Sequence, residues 1–293
     1  MNDFFKYHGL GNDYLVLEPE RFVEAPSPDA IRLICDRHRG LGSDGILWGP
    51  LDSLPNLAVP RGTHALRIFN PDGSEAEKSG NGLRIFARHL WLRRIVTRRQ
   101  FSLFTPAGAV EARILDAAGC SVAIGMGPVR FGSGSVPMTG PEREVLRESL
   151  QADGQSWTIC AANVGNPHCV VLVDDPTPEL ARRIGPHIET HPSFPNRTNV
   201  QLMVPMDAHQ IRIEIWERGA GYTQASGSSS CAAAAVAFRL GFCESPVTVR
   251  MPGGTLSVEL NADFHATLTG PVAAVSQGDM HAELLGAAGL RRR

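Results

Sequence analysis

Apolar positions along the chain fall mostly into short runs closed by glycine, proline or aspartate. Tyr14 to Leu17, His64 to Phe69, Ser121 to Ile124, Cys169 to Val173, Ile211 to Trp216 and Val247 to Met251 alternate or run apolar, and predict strands. Helical spacing is rarer and predicts helices over Ser27 to Arg39, Gly82 to Thr97, Thr177 to His187 and Ser230 to Leu240. The architecture expected is mixed α and β with strands in the majority.

The same patterns repeat. GLGNDYLVL (Gly9 to Leu17) and NVGNPHCVVL (Asn163 to Leu172) each set Gly-Asn ahead of an apolar strand, and EKSGNGLRIFARHL (Glu77 to Leu90) and QASGSSSCAAAAVAFRL (Gln224 to Leu240) each run from Ser-Gly into a helix. Asn12 lies 154 residues from Asn166, and Ser79 lies 147 from Ser226. A Gly-Asn turn or a Gly-started helix is common anywhere, but two pairs in the same order at nearly one offset predict a duplication. Duplicated chains fold as two like domains, with a shared small-molecule site expected in the cleft between them. The Gly-rich stretch FGSGSVPMTGP, Phe131 to Pro141, marks roughly where one half hands over to the other.

Composition narrows the classes of partner. The chain has 293 residues, enough for two cores, with 43% hydrophobic and 20% charged residues and a net charge of -2. That balance offers no broad attraction to nucleic acid or an acidic membrane, so a small molecule is the expected partner. The N-terminus does not read as a secretory signal and no run reaches membrane-spanning length, so a soluble, cytoplasmic protein is expected. Six cysteines are scattered without metal-ligand spacing, which suits reduced thiols and predicts no metal.

The two Ser-Gly pairs carry the candidate chemistry. A helix start leaves N–H groups unpaired and holds the positive end of the helix dipole, so Gly80-Asn81 and Gly227-Ser228 are suited to cradle a carboxylate. Each serine on its own reads equally as an ordinary N-cap. Facing half-sites would also supply what inversion of an amino-acid α-carbon requires, one group to remove the proton and another to return it from the opposite side.

The blocks HGLGNDYLVL, FNPDGSEAEKSGNGLRIFAR, NVGNPHCV, FPNRTNV, ERGAGYTQASGSSSCAAAAVA and MPGGTLSVEL, in this order and across nearly the whole chain, resemble the diaminopimelate epimerase family. The resemblance implies an α+β fold of two pseudo-symmetric domains, each a mostly antiparallel curved sheet or barrel around a central helix, over residues 1–124 with 273–293 and over 125–272. It implies an isomerase of lysine biosynthesis that works without pyridoxal phosphate, and a possible homodimer. The chain's two lysines, Lys6 and Lys78, sit in no motif suited to a Schiff base, so no cofactor is expected. By the resemblance, Asn12 sits at the reacting end, Asn70, Asn166 and Asn199 hold the distal end of the substrate, Glu217 and Arg218 meet its distal charges, and His168 neighbours the catalytic pair. Read from the residues, the asparagines suit turns as well, whereas a guanidinium matches a carboxylate bidentately.

The resemblance also implies cysteine at both acid–base positions and glutamate after the ERGAG run, where this chain has Ser79, Ser226 and Tyr222. A thiol has a reference pKa near ~8.5 and is lowered further at a helix start, whereas a serine hydroxyl needs a partner base. Glu77, His168, Glu217 and Tyr222 are the candidates by sequence. Three readings stand: a diverged isomerase or lyase, which we prefer; a ligand-binding relative without turnover; and a true epimerase with both cysteines replaced to trap substrate. Tyr222 and Ser230 argue against the last, because trapping leaves the surroundings alone.

Overall fold

The computed structural model describes residues 2–293. It contains eighteen strands, five α-helices and one short 3-10 turn, and divides into two units. One is built from the chain up to Ile124 together with Gly270–Arg293, the other from Gly125–Thr269.

In the first unit the hairpin Phe4–Gly9/Asn12–Leu17 is followed by helix α1 (Pro28–Cys35) and then by Ile46–Leu51, parallel to Asn12–Leu17. Thr63–Phe69 returns antiparallel and folds back through the short strand Glu75–Ala76 into helix α2 (Gly80–Leu92). Gln100–Thr105 then lies parallel to Thr63–Phe69, and Gly108–Ile114 and Ser121–Pro128 continue antiparallel. The second unit repeats this order. Gln155–Asn163 pairs antiparallel with Pro167–Leu172; helix α3 (Pro178–Glu189) leads to the parallel strand Asn199–Asp207; Gln210–Glu217 and Gly221–Thr223 form the hairpin that opens helix α4 (Gly227–Arg239); and Val247–Met251 lies parallel to Gln210–Glu217 before antiparallel strands end the unit.

The helices α2 and α4 are the cores of these units. Every residue of α2 from Gly80 to Leu90 is buried, as are Gly227 and Ser229 to Ala237 of α4. Four successive alanines, Ala232 to Ala235, favour helix and keep the cylinder thin enough for strands on all sides. The polar residues of α2 are buried with partners: Asn81 with Asn12, Arg84 with Asn81 and Gly80 O, Arg88 with Val272 O, and His89 with Tyr7 and Glu18. A second apolar layer lies outside each sheet, around Ile31, Ile34, Trp48 and Leu285 in one unit and around Ile184, Ile188 and Phe194 in the other.

Several boundaries differ from the sequence reading for local reasons. The first helix ends at Cys35 rather than Arg39, because the Asp36 carboxylate accepts from the N–H groups of His38 and Arg39 and turns the chain. Both central helices start earlier than periodicity alone predicts, at the residues following Ser79 and Ser226. The Gly-rich stretch 131–141 is no linker: Phe131, Ser133 and Val136 are buried, and Ser133 exchanges bonds with Arg143. The first unit regains the chain at Gly270, within the strand His265–Pro271, rather than at residue 273. Helix α5 (Ala282–Ala288), ended by Gly289 with φ 64°, carries too few periodic positions to stand out in the sequence.

Asp3 ties that C-terminal segment to the first strand. Its carboxylate is fully buried and accepts from Arg292 at 2.5 and 3.0 Å, from Arg21 at 3.3 Å and from Met280 N–H at 2.8 Å. Burial pushes its pKa up, but these donors outweigh it and hold the group below its ordinary value. The depressed folded pKa stabilises the protein above the ordinary carboxylate range, and that contribution fades as pH falls through the folded pKa. Asp3→Asn is expected to lower stability by about 2 kcal/mol at pH 7. Urea unfolding at pH 7 and pH 3 should show the gap narrowing in acid; a gap of constant size would contradict this account.

Candidate active site

In the first unit the turn Leu10-Gly11, with φ 54° and 87°, is a two-residue hairpin of the kind that needs left-handed backbone at both positions. It sets Asn12 at the start of its strand. Asn12 Nδ2 donates to Asp44 Oδ2 (3.0 Å), Asn81 Nδ2 donates to Asn12 Oδ1 (3.0 Å), and the buried Arg84 donates to Asn81 Oδ1 (2.6 Å). Arg84 can only donate and Asp44 only accept, so both amides are fixed in orientation. Behind them Asp13 bonds Arg37 and Lys6; burial raises its pKa, but these cations lower it more. Asn70 is spent locally, its Nδ2 on Ser74 Oγ and its backbone in a turn closed by Gly73 N–H.

Ser79 caps α2, accepting from Gly82 N–H at 3.1 Å, and its hydroxyl also meets the phenol of Tyr14 at 3.3 Å. A Cβ on Gly82 would come within 3.2 Å of Ser79 Oγ, so glycine keeps this approach open. Glu77, on the exposed side of the chain, is not among these partners.

In the second unit the corresponding hairpin positions Asn166, whose Oδ1 meets His168 Nε2 at 2.9 Å. His168 is fully buried, and burial drives its pKa down to about 3; the charge of Arg218 acts in the same sense and Gln201 opposes. It is therefore neutral at neutral pH. Its Nδ1 and the buried Gln201 Oε1 make no hydrogen bond of ordinary geometry, while Gln201 Nε2 donates to Ser229 Oγ at 3.0 Å. Asn199 is a strut, donating to Pro167 O and accepting from Arg218 N–H. The Arg218 side chain is exposed and donates to Asn196 O, whereas the neighbouring turn is held from below by Glu189, which accepts from Trp216 Nε1 (2.7 Å) and Gly219 N–H (3.0 Å). Sequence reasoning missed Glu189, Gln201 and Asp44, which lie in no quoted motif, and Tyr14, which lies in the HGLGNDYLVL block but reads there as a strand aromatic; the folded contacts reveal all four.

Ser226 is buried at the N-cap of α4 but caps nothing with its side chain, so the amides of Gly227 and Ser228 start a helix without a side-chain cap. Its hydroxyl, like that of Thr223, lies near the Glu217 carboxyl without a hydrogen bond of ordinary geometry to it. Burial raises the pKa of this carboxyl and the two hydroxyls only partly offset the shift. By solvent exposure Glu217 is intermediate rather than sealed, yet it is densely surrounded by protein, and the direction of the shift follows from that surrounding. Tyr222 faces the other way. Side chains alternate along a strand, and its hydroxyl donates to Glu214 (2.7 Å) while Arg182 stacks 4.0 Å over its ring. It packs with the layer under α3 and does not partner either serine. Among the described residues no three His, Cys, Asp or Glu side chains are placed to hold a metal ion, and no helix is long and apolar enough to cross a membrane.

The diaminopimelate epimerase family model matches residues 4–132 and 160–275. This chain belongs to the diaminopimelate epimerase family. It is 52% identical over 281 residues to diaminopimelate epimerase 2 of Nostoc sp., covering 96% of both chains, and 38% identical over 278 residues to the diaminopimelate epimerase of Stutzerimonas stutzeri, covering 94% of this chain and 98% of the other. The fold also resembles a hydroxyproline epimerase from Agrobacterium vitis solved with bound trans-4-hydroxy-L-proline (TM-score 0.67, 17% identity, 97% of each chain) and a Bacillus anthracis protein of the PhzF family (TM-score 0.65, 16% identity, 94% and 97%). Membership places the chain among isomerases of the racemase and epimerase class.

The raised pKa of Glu217 has a measurable consequence for this family member. A carboxyl whose folded pKa lies above its unfolded value contributes stability at low pH that is lost as pH rises from the ordinary carboxylate range through the folded pKa. Glu217→Gln mimics the neutral form throughout. Its melting temperature relative to wild type should therefore rise across that window and level off above it, whereas a difference independent of pH would show that Glu217 titrates normally.

Proposed function

We propose that this protein is a cofactor-independent amino-acid isomerase acting on a diaminopimelate-like substrate, with Ser79 and Ser226 as its two proton-transfer groups. The observation that carries the reading is the pair of equivalent Ser-Gly helix starts, one in each unit, each opening a helix buried along most of its length, with Ser79 in contact with the Tyr14 phenol and Ser226 near the Glu217 carboxyl. Relatives of the family are named for diaminopimelate epimerisation, which supports a diamino-acid substrate. Gly80, Asn81, Gly227 and Ser228 present helix-start amides suited to the reacting carboxylate, while Arg218 offers a guanidinium for a distal carboxylate. Asn12, Asn166 and Asn199 set the walls, fixed by the bonds described above. His168, neutral and buried, takes its place beside the proton-transfer groups as a polar neighbour rather than as a cation.

In this reading Glu217 is the base behind Ser226. The carboxylate accepts the serine proton as the hydroxyl oxygen takes the α-proton, and the electron pair left on carbon is delocalised into the substrate carboxylate. The resemblance gives cysteine at both positions, and a hydroxyl is the poorer base at neutral pH, so turnover is slow by family standards. The uncapped start of α4 would equally serve a protein that binds an amino acid without turning it over.

The two readings separate in D₂O. Wild-type protein incubated with diaminopimelate should exchange the α-proton slowly by NMR, and the Ser79→Ala, Ser226→Ala double variant should lose about 10²-fold or more of that rate. Ser79→Cys with Ser226→Cys should raise epimerisation by a comparable factor. Exchange that survives the double alanine variant would sink the serine chemistry, and binding by calorimetry without any exchange would establish the non-catalytic relative.

A further inference from the structure

The partner of Ser79 is of a different kind from that of Ser226. Tyr14 stands on the strand Asn12–Leu17, is 6% exposed, and brings its phenol oxygen to 3.3 Å from Ser79 Oγ. The Ser79 oxygen already accepts from Gly82 N–H, so one of its lone pairs is committed, and the remaining hydrogen bond is the one it shares with the phenol. The ring is held there by shape. A Cβ at Gly45 would lie 2.6 Å from Tyr14 Cε1 and 2.5 Å from Phe69 O, closer than atoms approach, so Tyr14 takes this position only because residue 45 has no side chain.

The other ionisable groups near this hairpin are committed elsewhere. Tyr7, the cross-strand partner of Tyr14, bonds His89 Nδ1 (3.1 Å), and His89 Nε2 meets Glu18 (3.0 Å), which also accepts from Arg93. Asp13 points to the opposite face and is neutralised by Lys6 and Arg37, and Arg37 also bonds Asp44. In the direct contacts of Ser79, then, the phenol is the group able to exchange a proton.

We propose that Tyr14 is the proton-relay partner of Ser79, a positioning residue that passes protons through the serine without touching substrate. The proposal rests on the reading of Ser79 as a proton-transfer group. In the removal direction the α C–H bond breaks, its proton goes to Ser79 Oγ, the original serine proton passes to the phenolate oxygen of Tyr14, and the electron pair stays on the substrate carbon and its carboxylate. In the return direction the phenol gives its proton to Ser79 Oγ, and the serine gives its own to carbon. Protons and charge balance with no further reactant.

The test compares wild type, Tyr14→Phe, Ser79→Ala and protein carrying 3-fluorotyrosine at position 14, using α-proton exchange of diaminopimelate in D₂O from pH 6 to 10. Tyr14→Phe should reduce exchange about 10²-fold and remove an alkaline limb of the pH profile, and the more acidic fluorotyrosine should move that limb to lower pH. A purely structural role would lower the rate without moving the limb. Full exchange with an unmoved profile in Tyr14→Phe, while Ser79→Ala abolishes exchange, overturns the relay and leaves the serine chemistry standing; no exchange in wild type removes both. A readout independent of turnover is the ¹³Cζ resonance of labelled Tyr14, whose titration should shift in Ser79→Ala, and an unchanged titration would overturn the contact itself.

Discussion

A helix buried on every face can meet a ligand only at its ends, and both central helices of this protein are of that kind. The constraint reaches into sequence and chemistry together. Small residues must fill the sides of α4, polar side chains on α2 must find partners within the protein, and the first-turn N–H groups of each helix are the ones without an intrahelical acceptor. The hairpin before each helix, closed at Phe69↔Glu75 and at Glu217↔Gly221, delivers a serine to that end. The repeated strand order thus produces the same chemical opportunity twice.

The two units then meet the opportunity differently. Ser79 caps Gly82 N–H and shares a hydrogen bond with a phenol; Ser226 leaves its helix without a side-chain cap and lies near a carboxyl whose pKa burial has raised. One start is mechanically finished by its own side chain. The other has no such bond, and its first-turn amides receive no acceptor from Ser226. A duplicated scaffold therefore need not give a symmetric site, and its asymmetry lies in second partners rather than in the repeated motif.

What the sequence made legible follows from how local each feature is. The Ser-Gly starts and the Gly-Asn turns are encoded within a few residues, and so are the strands Val247–Met251 and Thr63–Phe69. Asn70 and Asn199 share a residue type, yet one bonds within an exposed turn while the other joins Pro167 to Arg218 across strands, a distinction made by tertiary bonds. Tyr222 follows the ERGAG run, and strand alternation turns it to Glu214 and Arg182, a direction that no local pattern states. The stretch 131–141 has a linker's composition, and its glycines and serines are instead used for tight packed turns.

Tyr14 illustrates the limit most clearly. In the sequence it is the first residue of an apolar strand, and an aromatic there needs no explanation beyond packing. Its chemistry depends on Gly45, thirty-one residues away, whose missing side chain is invisible as a signal because glycine next to Asp44 also suits a plain turn. The parallel pairing of Leu15 with Ile46 brings these two positions side by side, and α2 then brings Ser79 to the phenol. Three ordinary local choices, a strand tyrosine, a turn glycine and an N-cap serine, become one proton-conducting contact only when the sheet closes around the helix. It follows that serine in this position cannot be judged by its own acidity: the relevant acid–base group is the hydroxyl together with the group that shares its proton.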